Sequence, residues 1–141
     1  MPLRFSALVL TAFFAVGCDN AVSVRGHVYR KAQGSRSLVL FDQRTVPAHL
    51  EPLKGVKITV YHSAEDAYRA DYVPYKWNLA KTDADGAFEI DGTCGSAPRQ
   101  MAVRATRDGC DPVLGKFIYT ERKEDYEATI LMACPPQGGV R

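Results

Sequence analysis

Thr82-Asp-Ala-Asp-Gly-Ala-Phe-Glu-Ile90 is the stretch that decides the fold. Within it, Asp85-Gly86 separates two short runs, Trp77-Asn-Leu-Ala-Lys81 and Ala87-Phe-Glu-Ile90. A D-G pair in that position is a strong hairpin signal, because glycine adopts a positive φ at little cost. Phe88 and Ile90 then share one face of an extended chain. Asp83 stands where its carboxylate accepts a backbone hydrogen bond inside the loop. The stretch predicts two strands and a tight reversal.

Outward from this turn the same period of two recurs. Val22, Val24 and Val28 fall on one face of a strand, with Arg25 and His27 on the other. Val56, Ile58 and Val60 repeat the pattern, as do Met101, Val103 and Ala105, and then Ala128, Ile130 and Met132. Lys116 to Thr120 supplies a further run, and Asp108-Gly109 a further turn. Alternation of this kind marks strands with one face on a core and one in water. Seven short strands without a long helix indicate an antiparallel sandwich or barrel. Two segments are extra. Residues 30–53 form a long connection in which Ser37–Phe41 can add a short edge strand, while Pro47 and Pro52 interrupt pairing. Residues 63–76 carry Tyr68, Tyr72 and Tyr75 at helical spacing, which predicts one or two helical turns ending before Pro74.

The first eighteen residues have a different character. Arg4 gives a positive start, Phe5 to Val16 is almost wholly apolar, and Ala15-Val16-Gly17-Cys18 closes the run. Such a run is too short to cross a bilayer comfortably, which takes about 20 residues, and reads as an export signal. Its ending resembles a lipobox, cut before a cysteine whose thiol takes a thioether-linked lipid. An acyl chain such as palmitate is then added to the new amino terminus. Two such signals anchor stably, at about 0.8 kcal/mol per buried methylene. The alternative is an ordinary secretory signal, with Cys18 left to form a disulfide. Asp19 resembles the inner-membrane retention signal of enteric lipoproteins, a rule that does not extend to other phyla, so the choice of membrane stays open.

The expected organisation is a signal peptide over 1–17, a tether over 18–21, a sandwich over 22–134 and a tail over 135–141. Removing residues 1–17 from 141 leaves 124, one ordinary domain. The chain has 18 basic and 16 acidic residues, and the leader takes Arg4, which leaves a formal charge of +1. No basic stripe is present, so nucleic acid is not an expected partner. The membrane partner is reached through the N-terminal lipid.

The runs Val24-Arg-Gly-His-Val28, Pro52-Leu-Lys-Gly-Val-Lys-Ile-Thr-Val60, Thr82-Asp-Ala-Asp-Gly-Ala-Phe-Glu-Ile90 and Val103-Arg-Ala-Thr-Arg-Asp-Gly109 together resemble a carboxypeptidase regulatory-like domain. The resemblance covers residues 22–133. It implies an all-β fold, a seven-stranded antiparallel Greek-key sandwich of the transthyretin (prealbumin-like) kind, and a module usually without catalysis. The 30–53 insertion is longer than the family's, and Cys110 stands where the family has tyrosine. The recurring residues have physical reasons. Gly55 is read as relieving crowding where a strand begins, Gly86 as taking the left-handed turn position, and Phe88 as filling the space between sheets, worth about 1.5–3 kcal/mol.

No catalytic residue, metal ligand or cofactor is assigned. Hydrolases of this fold that act on 5-hydroxyisourate end in Tyr-Arg-Gly-Ser, whereas this chain ends in Pro-Pro-Gln-Gly-Gly-Val-Arg141. Intradiol dioxygenases hold iron with two tyrosines and two histidines. His27, His49 and His62 show no spacing that matches. Asp83 and Asp85 resemble paired calcium ligands but are read as turn builders, since no bidentate glutamate follows at the right distance. Tyr61, Tyr68, Tyr72, Tyr75 and Trp77 form the candidate binding surface, for carbohydrate or an envelope protein, because aromatics bury area at low entropy cost. The competing reading has half of them covering an open end of the sandwich.

Of the four cysteines, Cys18 is assigned to lipid, which leaves Cys94, Cys110 and Cys134 in an oxidising compartment. If strands 101–107, 116–120 and 126–133 form a meander, Cys110 and Cys134 both lie just past strand ends at one pole. Cys94 lies at the other. A Cys110–Cys134 bridge is therefore predicted.

Overall fold

The computed structural model describes residues 21–42, 49–94, 99–120, 123 and 125–136. Eight strands appear among them: β1 (Ala21–Lys31), β2 (Leu38–Phe41), β3 (Lys57–Tyr61), β4 (Leu79–Lys81), β5 (Ala87–Cys94), β6 (Arg99–Thr106), β7 (Val113–Tyr119) and β8 (Asp125–Ala133). They form two four-stranded sheets, in the orders β2-β8-β1-β5 and β4-β3-β6-β7. The expected all-β sandwich is what forms. Its eighth strand, β2, is the short edge strand that Ser37–Phe41 allowed. The pairings are antiparallel except that of β1 with β8, which is parallel.

Alternation produces the core directly. Val22, Val24, Val28, Ile58, Val60, Ile90, Met101, Val103, Ile130 and Met132 are all buried between the sheets. Phe41 of β2 lies 5.0 Å from the Phe117 ring, which lies 4.7 Å from that of Tyr126. Much of the long 30–53 connection is thereby explained. It supplies an edge strand that pairs with β8 and reaches across to β7, where a Cβ on Gly115 would fall 2.5 Å from that of Val39.

Three local expectations are corrected. The Asp85-Gly86 turn forms, but it does not make a hairpin. β4 pairs with β3 in one sheet, and β5 pairs with β1 in the other. The turn is an arch between layers. Turn chemistry fixes a reversal of the chain and leaves open which neighbour each strand joins. The supposed meander breaks in the same way, because β8 leaves β7 and joins β1 in the opposite sheet. β8 still ends at the pole where β6 ends, and the Cys110–Cys134 disulfide is formed there. Gly55 does not relieve crowding, since a Cβ there would meet nothing within 4 Å; its φ of +76° is what calls for glycine. Crowding instead acts at Gly86, whose φ is +73° and whose Cβ would lie 2.5 Å from the Val28 carbonyl oxygen.

Thr82 locks the arch to the sheet edge. Its buried Oγ1 donates to the Leu53 carbonyl at 2.6 Å and accepts from the Val56 amide at 2.9 Å. Replacing Thr82 with valine keeps the shape and strands both backbone groups. The expected cost is about 2–3 kcal/mol, read from urea unfolding midpoints, with Thr82→Ser near the parent. A loss below about 0.5 kcal/mol, the range of an ordinary surface substitution, would contradict this role.

Candidate functional site

The 62–75 segment folds over the outer face of the β3-β6-β7 layer, and this placement divides the five aromatic residues. The helical turn expected before Pro74 forms as a 3-10 turn over Ala64–Tyr68, and a second 3-10 turn covers Lys76–Asn78. Tyr61 is buried at the end of β3, with Ala64, Ala67 and Ala102 beside it and Tyr72 and Leu114 packed against them. The Tyr61 and Tyr72 rings lie 5.7 Å apart. Burial pushes the Tyr72 hydroxyl above its usual range, and the Asp66 carboxylate adds to the rise. Arg104 sits 5.5 Å over the Tyr61 ring and donates to the Ala67 carbonyl, which pins the segment down. Tyr61 and Tyr72 are thus covering residues, over a sheet face and not over an open end.

Tyr68, Tyr75 and Trp77 face outward. Tyr68 is 65% exposed, and Tyr75 and Trp77 are each 57% exposed. The last two stack with ring centroids 4.7 Å apart and planes within 3°. Lys116 holds its ammonium 5.0 Å over the Tyr68 ring. Arg69 is held between Asp71 and Asp66, and its pKa is raised, first by the hydrogen bond to Asp71.

Asp83 behaves as a turn builder. Its Oδ1 accepts from the amides of Asp85 and Ala87 at 2.9 and 3.0 Å. His27 lies on the outer face of β1 with its ring 6.1 Å from that of Tyr29. Among the described residues no three of His, Cys, Asp or Glu come together where a metal ion would be held. Nor is any helix among them long and apolar enough to cross a membrane. Cys18 lies outside the described residues. Cys94 closes β5 at the pole opposite the disulfide, with its backbone in register with Ala21.

Sequence reading missed a cleft of about 390 Å³ beside the disulfide, where Arg30, Lys31, His49, Glu51 and Cys134 meet. Arg30 is already engaged there, with its Nε 3.0 Å from Glu51 and a second bond to the Pro135 carbonyl. Three separate chain segments build this cleft, so no local pattern could announce it.

No protein-family model matches the chain, and no curated protein matches it. Solved structures do match. A point mutant of the shaft pilin SpaA from Lactobacillus rhamnosus GG aligns with a TM-score of 0.56 and 13% identity, over 83% of this chain and 52% of that one. This chain therefore spans about half the length of that pilin. The dioxygenase domain of a dioxygenase carbohydrate-binding protein fusion from Streptomyces sp. SirexAA-E aligns at 0.49 and 15%, over 86% and 84%. The major pilin SpaD from Corynebacterium diphtheriae aligns at 0.49 and 15%, over 84% and 33%. The likeness is one of fold. At such identities it says nothing of chemistry.

Proposed function

We propose that the chain is a lipid-anchored, noncatalytic β-sandwich of the bacterial cell envelope, periplasmic or surface-facing, that serves as a binding or structural module. The observation that carries this reading is what the carboxypeptidase regulatory-like motif residues are used for. Thr82 ties Leu53 to Val56, Asp83 holds the turn, Gly86 fits under the Val28 carbonyl, and Phe88 is buried. Each is committed to shape. The leader and Cys18 supply the address. The sandwich starts at Ala21, so only Asp19 and Asn20 link it to the anchor.

The anchor is tested by mass spectrometry of the mature N-terminal peptide. The expected product begins at Cys18 and carries a thioether-linked diacylglycerol and an amide-linked acyl chain. Cleavage elsewhere, or a thiol without lipid, would refute it.

The exposed side chains of Tyr68, Tyr75 and Trp77 favour a second reading, an interaction subunit of an envelope assembly such as a secretion system. Crosslinking in intact envelopes separates the two, since a stoichiometric partner set favours the subunit. An enzyme of the transthyretin-like fold ranks last, and unit-occupancy iron in the purified protein would revive it.

A further inference from the structure

β1 enters the sandwich at Ala21, in register with Cys94 and at the pole opposite the disulfide. Only Asp19 and Asn20 stand between Cys18 and Ala21. The three peptide steps from Cys18 to Ala21 span about 11 Å when fully extended. A sandwich held at Cys18 thus keeps this pole, and the sides next to it, against the lipid headgroups. The inference rests on the anchor reading above.

Five large hydrophobic side chains stand exposed among the described residues: Tyr68, Val73, Tyr75, Trp77 and Ile118. Their positions are one-sided. Tyr61, Ala102 and Lys116 form a row across β3, β6 and β7, about midway between the poles. Ile118 pairs with Gln100, on the tether side of that row. Leu79 pairs with Thr59, and the 3-10 turn before it, which holds Trp77 and has Tyr75 at its start, packs on β5, a strand that runs from the middle of β1 to the tether pole. Tyr68 touches Lys116, and Val73 follows Tyr72, which touches Tyr61. The disulfide pole carries none of the five. Lys76 and Lys116 stand among them as cations.

We infer that this face docks on the bilayer that holds the anchor, with Tyr75 and Trp77 at headgroup level. Tyrosine and tryptophan prefer that depth because one end of each ring system is apolar and the other wet. Lysines at the rim keep their ammonium groups near lipid phosphates while their stems cover apolar surface. A short tether makes the contact intramolecular, so a weak surface affinity suffices.

Trp77 is the sole tryptophan, so its emission reports this face alone. The mature chain, residues 18–141, is held by an N-terminal histidine tag on nickel-chelating lipid in phosphatidylethanolamine–phosphatidylglycerol vesicles. Tethering then does not depend on natural acylation. Trp77 emission is expected to shift to the blue and to lose intensity when the lipids are brominated near the headgroups. Val73→Asp combined with Ile118→Asp, both on exposed positions, is expected to abolish both changes. Emission on brominated vesicles equal to that of the untethered chain overturns the inference. So does a Trp77 signal that responds to a soluble oligosaccharide and ignores the bilayer. An unlipidated natural N-terminus, read from the peptide mass, would defeat the anchor reading and this inference with it, whereas absent quenching would defeat this inference and leave the anchor reading intact.

Discussion

Replacing Gly26 with alanine is expected to unfold the sandwich or to lower its melting temperature by on the order of 15 °C. Gly26 lies in β1 between Ala128 of β8 and Phe88 of β5. An alanine Cβ would fall 1.7 Å from the Ala128 carbonyl oxygen and 2.7 Å from its carbon. Both are backbone atoms, so no side chain can swing away. The two central strands of the sheet would have to part. A cost above about 4 kcal/mol is rare for single substitutions and belongs to changes that break the core. Gly34→Ala is the control. Its φ is +87° with nothing within 4 Å, so it carries only the left-handed penalty, about 1–2 kcal/mol. Thermal unfolding followed by circular dichroism compares the two. A Gly26→Ala protein as stable as the control would refute the close approach of β1 and β8.

Removal of the disulfide through Cys110→Ser with Cys134→Ser is expected to cost about 3 kcal/mol. The two cysteines are 24 residues apart in sequence, and the loop between them holds all of β7 and β8. Freed, the unfolded chain gains the entropy that closure denied it. Cys134 is also 1% exposed, so a serine hydroxyl placed there adds a desolvation cost. Guanidinium unfolding of the parent, with and without reductant, separates the two contributions. Reduction alone is expected to reproduce most of the midpoint shift. An unchanged midpoint on reduction, or a nonreducing peptide map that links Cys94 to either partner, would contradict the bridge.

The strands were legible because their inward residues repeat at every second position. Val24, Val28, Ile58, Val60 and Ile130 lie inside as the pattern requires. What a period of two cannot carry is adjacency. It gave no sign that β5 would pair with β1, or that β8 would cross to the opposite layer. Those choices depend on pairings such as Gly26 with Phe88 and with Ala128, made between segments far apart in sequence. The glycines show a similar limit. A turn motif exposes Gly86, but the crowding at Gly26 depends on how near another strand comes. Among the aromatics, the helical spacing of Tyr68, Tyr72 and Tyr75 was misleading, because the actual 3-10 turn stops at Tyr68. Tyr72 is then free to turn inward onto Tyr61 while Tyr75 stacks on Trp77.

The parallel pairing of β1 with β8 has a mechanical corollary. Tension applied between the start of β1 and the end of β8 pulls two neighbouring parallel strands from opposite ends. The nine residue pairings from Ser23–Asp125 to Lys31–Ala133 then share the load and must slip together. An antiparallel hairpin stretched from its open end would instead unzip one rung at a time. At the far end, the covalent link from Cys134 to Cys110 passes part of the strain into the second sheet. The topology is that of a module suited to bearing a pull along its length.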